Sequence, residues 1–311
     1  MKAVTMTAFD TPPALDELPA PTPAPNEVLV RVGASSVNPV DNAIAAGMLT
    51  QMGVEYEFPV VIGRDYAGVV EQTGADVGRF AVGDPVFGFV LHANPTAHVG
   101  SWAESITVPA DLSIAKAPEG VDRAAAGAAP LAGITAMLSI DALSLSEGDT
   151  VLIVGATGGV GSLAVQLAAR AGATVVAPAL PEDEDYLREL GVGELLPREG
   201  DLDAAARERH PDGFDAVLDL VNYGPGVPAS LVKDGGRVAS PTGAAGEGPG
   251  RTMIMAAPTV ENLHRLAELL ADGLRVPIHA TYDLAKAPDA LAALATTHTQ
   301  GKLAVRIDAV S

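Results

Sequence analysis

The segment VLIVGATGGVGSLAVQLAARAGA sets Gly155, Gly158, Gly159 and Gly161 behind a four-residue apolar run and ahead of an amphipathic stretch. Strand, glycine turn and helix in that order form the arrangement that holds a dinucleotide pyrophosphate. Gly155 permits a tight exit from the strand, Gly158 lets the backbone approach the phosphates, and Gly161 lets the helix pack closely on the strand. Thr157, Gly159 and Val160 complete the turn. The free N–H groups at the helix start then face the phosphates with a favourable dipole. A tight turn without a ligand would use the same glycines, so the surrounding pattern has to decide.

Other chemistries drop out. The chain has no cysteine, hence no disulfide, no thiolate zinc site and no cysteine nucleophile. A formal net charge of −20, with no Lys/Arg-rich run, opposes nucleic acid and anionic membranes alike. The same field opposes a dinucleotide, which therefore needs local help from backbone N–H groups and a few cations.

The elements that would position the turn are legible in the hydrophobic pattern. With 48% hydrophobic and 19% charged residues, the 311-residue chain can fill substantial cores, and its length predicts two domains. Residues 124–140 form the longest apolar run, but Gly127, Pro130 and Gly133 interrupt it, and it is too short to span a bilayer. The start, MKAVTMTAFD, lacks the apolar stretch of a secretory signal, so a cytoplasmic protein is expected.

As far as residue 122 the chain reads as an antiparallel β-rich domain, with strands at 28–32, 67–71, 85–89 and 104–108. The four prolines of 19–25 mark an exposed connection between the first two strands. Beyond 122, apolar runs at 151–154, 174–177, 216–220 and 237–240 alternate with helices predicted at 160–171, 183–190 and 202–209. That alternation predicts βαβ units and a doubly wound parallel α/β sheet. A helix at 260–271 and a last strand at 303–307 follow.

Several further segments stand in a definite order: SSVNPVDNAIAAG (35–47), PVVIGRDYAGVV (59–70), RFAVGDPVFG (79–88), GSWAESITVPA (100–110), PLAGITA (130–136), the glycine turn, KDGGRVAS (233–240) and TQGKLAV (299–305). Together they resemble the zinc-free branch of the medium-chain dehydrogenase/reductase superfamily, the quinone oxidoreductases and zeta-crystallin, over essentially the whole length. The resemblance implies a GroES-like β-rich catalytic domain (1–122 with 258–311) interrupted by a Rossmann domain (123–257), with the active site in the cleft between them. It also implies a homodimer.

The resemblance extends to individual residues. It gives Asn38 and Thr135 to the nicotinamide end of the cofactor, where they would hold the carboxamide and ribose and leave C4 open, and so to the catalytic site. It gives Lys302 of Gly301-Lys302 a place near the cofactor, and Asn222 a place after the fourth Rossmann strand, where Asp219-Leu220-Val221-Asn222-Tyr223 replaces the usual D-x-V-G-G. Each has an ordinary reading beside it. Asn-Pro starts turns by itself, a lone lysine is a solvated charge, and Asp41 before NAIAAG is a natural helix N-cap. Tyr56 is taken as a catalytic pocket residue. Tyr66, His92 and Trp102 are pocket or packing residues.

Two departures from the family pattern matter. Where zinc-dependent relatives carry Gly-His-Glu, this chain has Gly63-Arg64-Asp65, and arginine has no lone pair for a metal. His92 and His98 share a loop without a third ligand, so no zinc is expected. After the second Rossmann strand, APALPEDED (177–185) puts Asp183 where NADPH-dependent relatives have a cation for the 2′-phosphate. Arg188, or a basic residue from Arg198 onward, would have to compensate. NADPH is the expected cofactor, NADH the second choice and loss of cofactor the third.

The expected activity is metal-free hydride transfer to a quinone or an α,β-unsaturated ketone. The alternatives are an enoyl reductase dedicated to one biosynthetic intermediate and a non-redox scaffold.

Overall fold

The computed structural model describes residues 1–9, 11–91, 96, 99–222 and 228–307. His92, His98 and Tyr223 lie outside the described residues. The chain forms two compact units, Met1–Ile134 with Ala257–Ser311, and Thr135–Ala256.

The first unit opens with β1 (Lys2–Met6), β2 (Ala14–Glu17) and β3 (Glu27–Ser36). The proline-rich 19–25 stretch therefore joins the second and third strands; the sequence expectation missed the hairpin of β1 with β2. The helix α1 (Pro39–Ala45) follows, then β4 (Val60–Val61), β5 (Asp65–Thr73), β6 (Pro85–Phe89), β7 (Ser105–Pro109) and β8 (Ala115–Lys116). Two helices close this part of the chain, α2 (Arg123–Ala128) and α3 (Pro130–Leu143). Residues 123–134, given to the second domain by composition, fold with the first unit. The reason is packing: α2 lies against β3 and β5, and Gly127 abuts Ala34 so closely that a Cβ would meet its backbone at 2.8 Å.

The second unit contains β9 (Thr150–Val154), α4 (Gly159–Arg170), β10 (Thr174–Ala179), α5 (Glu184–Leu190), β11 (Glu194–Pro197), α6 (Leu202–Arg209), β12 (Phe214–Asp219), β13 (Val232–Ser240) and β14 (Arg251–Met253). All pairings are parallel, in the order β11-β10-β9-β12-β13-β14. This is the doubly wound order in which the winding reverses between the first and fourth strands, where ligands bind at the strands' carboxyl ends. Residues 151–154 are fully buried because β9 is central and covered on both faces. Each such side chain stabilises the fold by about 1.5–3 kcal/mol.

The chain returns to the first unit with α7 (Val260–Ala271), β15 (Ile278–Asp283), α8 (Ala287–Thr296) and β16 (Lys302–Arg306). The large sheet runs β15-β16-β3-β5-β6-β8, with β7 also paired to β3. It is antiparallel except for β15 with β16, a parallel pair joined through α8 that the sequence reading overlooked. None of the helices among the described residues is long and apolar enough to cross a membrane.

Candidate functional site

In the second unit the glycine turn leaves β9 at the reversal of strand order. Gly155 has φ +89°, a left-handed conformation that glycine adopts without steric cost. A Cβ on Gly161 would overlap the Gly155 carbonyl oxygen and stand 2.6 Å from the Ala156 Cα, so helix α4 reaches the strand only because this position is bare. At Gly158, by contrast, a Cβ would meet only the Gly155 oxygen, at 3.6 Å. Gly158 is the N-cap of α4 and offers no side chain, so open space lies before the N–H groups that Gly159, Val160 and Gly161 contribute to the first helical turn. Thr157 is 8% exposed beside them.

At the end of β12, Asp219 is buried and its Oδ1 accepts from the N–H groups of Val221 (3.0 Å) and Asn222 (2.9 Å). The bond folds the chain back and holds Asn222 at φ +60°. Asp183 does not present charge where the sequence suggests. It is fully buried, with its Oδ2 accepting from the Leu180 N–H at 3.4 Å, while Glu182, Glu184 and Asp185 are exposed. Arg188 is exposed in the last turn of α5. Arg198 follows β11, and its N–H donates to Ala179 at the carboxyl end of β10 (3.1 Å).

The first unit carries a buried polar network that the sequence reading did not assemble. Its hub is Asp65, the first residue of β5. Asp65 Oδ2 accepts from Ser36 Oγ (2.6 Å), Asn38 Nδ2 (2.7 Å) and Lys302 Nζ (3.5 Å), while Oδ1 accepts from the Leu131 N–H at the start of α3 (2.7 Å). Four donors use the full capacity of one carboxylate. Lys302, first residue of β16, also donates to Asn38 Oδ1 (2.6 Å) and to the Val37 carbonyl (3.1 Å). It is 4% exposed, not a solvated charge. Burial lowers the Lys302 pKa from its ordinary value, opposed by the charges of Asp65 and Asp41. The motif resemblance had singled out Asn38 and Lys302; the signal for their partner is Asp65 itself, an acid beside an apolar strand in the PVVIGRDYAGVV segment.

Asn38, rather than Asp41, is the N-cap of α1. Asp41 sits one turn in and reaches back to accept from the Asn38 N–H (2.7 Å). Its other oxygen faces Arg64 Nε at 4.0 Å. Burial raises the Asp41 carboxyl to about 7 against the pull of Arg64, and burial likewise lowers Arg64 to about 10. Arg64, in the metal-histidine slot, donates from Nη1 to the Leu91 carbonyl (3.0 Å) and from Nη2 to that of Val61 (3.2 Å). A guanidinium committed in this way cannot ligate zinc. Among the described residues no group of three His, Cys, Asp or Glu could hold a metal ion.

Thr135 lies on α3, one turn beyond Leu131, and is 7% exposed. Tyr56 is half-buried in an aromatic group with Phe9 (centroids 4.8 Å) and Phe58 (6.1 Å), and burial of its hydroxyl raises its pKa. Tyr66 and Trp102 are core residues: both are fully buried, with Tyr66 Oη donating to Ser113 O (2.7 Å) and Trp102 Nε1 to Ser36 O (3.1 Å).

Known proteins share this architecture. Residues 24–119 match the family profile of the alcohol dehydrogenase GroES-like domain, and residues 190–305 match that of zinc-binding dehydrogenase. The chain is 31% identical to the chloroplast envelope quinone oxidoreductase homolog of Arabidopsis thaliana, over 93% of this chain and 92% of that one. It is also 31% identical to the chloroplastic NADPH-dependent alkenal/one oxidoreductase of the same plant, over 90% and 72%. Among solved structures, the quinone oxidoreductase from Coxiella burnetii superposes with a TM-score of 0.86 at 27% identity, covering 99% of each chain. With its motif order, its doubly wound sheet and these relatives in agreement, the chain belongs to the quinone oxidoreductase family of the medium-chain dehydrogenase/reductase superfamily and is an oxidoreductase.

Proposed function

We propose that this oxidoreductase uses NADPH, with NADH as the weaker donor, to reduce a quinone or an α,β-unsaturated ketone, without zinc and as a homodimer. The observation that carries the reading is the glycine turn, where Gly158 leaves open space before the first N–H groups of α4 at the reversal of strand order. Those N–H groups and Gly158 would hold the pyrophosphate. Asn38 and Thr135 would orient the carboxamide and ribose at the other end. When bound, the nicotinamide supplies a hydride from C4.

The chain's part is then positioning and polarity. Tyr56, whose hydroxyl is buried without a hydrogen-bond partner, would line the acceptor's place. The proton that completes reduction at the oxygen or α-carbon comes from solvent. The test is fluorescence titration with NADPH and NADH, followed by turnover with ortho- and para-quinones and simple enones. Absence of binding by either nucleotide up to about 1 mM, the upper end of typical KM values, would overturn the reading in favour of a scaffold. Binding followed by oxidation of simple alcohols and no reduction of quinones or enones would overturn the assigned acceptor class.

A further inference from the structure

Asn38 sits between opposite charges, and both ends of its amide are taken up by them. Its Oδ1 accepts from the Lys302 ammonium at 2.6 Å and its Nδ2 donates to the Asp65 carboxylate at 2.7 Å. Rotating the amide by half a turn would set NH₂ against the ammonium and oxygen against the carboxylate. With all three side chains buried, at 4% exposure or less, water cannot relieve that mismatch. The orientation of Asn38 is therefore fixed by the charges flanking it.

The lysine has nothing left over. Its three N–H groups go to Val37 O, Asn38 Oδ1 and, more loosely, Asp65 Oδ2. The carboxylate has a second task, since Asp65 Oδ1 accepts from the Leu131 N–H at 2.7 Å and so caps the beginning of α3, the helix that carries Thr135 one turn further on.

We propose that Asp65 and Lys302 are positioning residues for nicotinamide recognition, acting through Asn38 rather than by touching the cofactor. This rests on the assignment of Asn38 to the nicotinamide end made above. Lys302 thereby moves from the cofactor contacts to the support behind them. Asp65 holds both the amide of Asn38 and the Leu131 N–H at the start of α3.

The test uses two probes, NADPH and 2′-phospho-ADP-ribose, which lacks the nicotinamide. Asp65→Asn keeps the shape and one acceptor oxygen but removes the charge that opposes the flipped amide. It should weaken NADPH by about tenfold, the size of one charge-assisted hydrogen bond, and leave 2′-phospho-ADP-ribose within about twofold of the parent protein. In an Asn38→Ala background the same substitution should change NADPH affinity by less than about twofold, because the group it acts through is gone.

Asp65→Asn leaves the buried Lys302 ammonium short of a partner, so Asp65→Asn combined with Lys302→Met, which buries no net charge, is measured in parallel. The same NADPH-specific loss is expected. Equal weakening of both probes, an undiminished effect in the Asn38→Ala background, or failure of both variants to fold would assign Asp65 to the fold alone and overturn the proposal. A parent protein that binds neither probe would instead overturn the functional reading on which it stands.

Discussion

Arg64 Nε stops 4.0 Å short of Asp41 Oδ1, and neither atom has a hydrogen-bond partner, although both side chains are fully buried. At that separation the attraction between the two does not compensate for the loss of water. This is why the Asp41 carboxyl is raised to about 7 although a guanidinium is its nearest charge.

The pair makes stability depend on pH. In the folded protein Asp41 holds its proton up to about pH 7, whereas in the unfolded chain it releases it near its ordinary value of 3.8. Between those values the folded state binds more protons, so this group's contribution is fullest below about pH 4 and is lost as pH rises through 7. Asp41→Asn cannot ionise. Its stability relative to the parent should rise by about 4 kcal/mol between pH 4 and pH 8, as measured by urea unfolding across that range. A difference that stays flat over these pH values would show that the carboxyl titrates normally.

Gly158→Val fills the open space before α4. It should weaken NADPH binding by more than about tenfold, or roughly 1.4 kcal/mol, with little change in thermal unfolding, because nothing lies within 3.6 Å of the new Cβ. Gly161→Val should differ in kind: its side chain would collide with the Gly155 carbonyl and disrupt the fold itself. Unchanged nucleotide affinity in a folded Gly158→Val protein would remove the turn from the cofactor site.

Turnover should survive exhaustive chelation, since the guanidinium in the histidine slot donates to the carbonyls of Leu91 and Val61 and has no lone pair for a metal. Elemental analysis alongside the assay checks this. Stoichiometric zinc whose removal abolishes activity would contradict it.

Cofactor choice should turn on Arg198 more than on Arg188. The Asp183 carboxylate is buried, which leaves the exposed acids Glu182, Glu184 and Asp185 as the local negative charge. Arg198 is bonded through its backbone to Ala179 at the carboxyl end of β10, whereas Arg188 belongs to the far turn of α5. Arg198→Ala should weaken NADPH by about tenfold and leave NADH unchanged, while Arg188→Ala should alter the NADPH-to-NADH ratio by less than about threefold. Titration of both variants with both nucleotides decides between the two arginines.

Much of this was determined by the sequence alone, because periodicity and glycine placement act locally. The apolar run 151–154 reads as a strand, the bare positions at Gly155 and Gly161 follow from a strand turning sharply into a helix, and the helices at 202–209 and 260–271 begin and end where the pattern says. The order of the motifs carried the family. What the sequence could not supply was side-chain direction and long-range pairing. Asp183 reads as one acid in a row of four, and only the fold turns it inward. Taken by itself a lone lysine such as Lys302 is a solvated charge, and only the motif resemblance put it near the cofactor; pairing of β16 with β3 puts its ammonium against Asn38, 264 residues away in the chain. Asp65, Asn38 and Leu131 come from a strand, a helix cap and a helix start with no local reason to meet. Their meeting is decided by sheet register, which depends on the burial of whole strand faces at once and on no single stretch of residues.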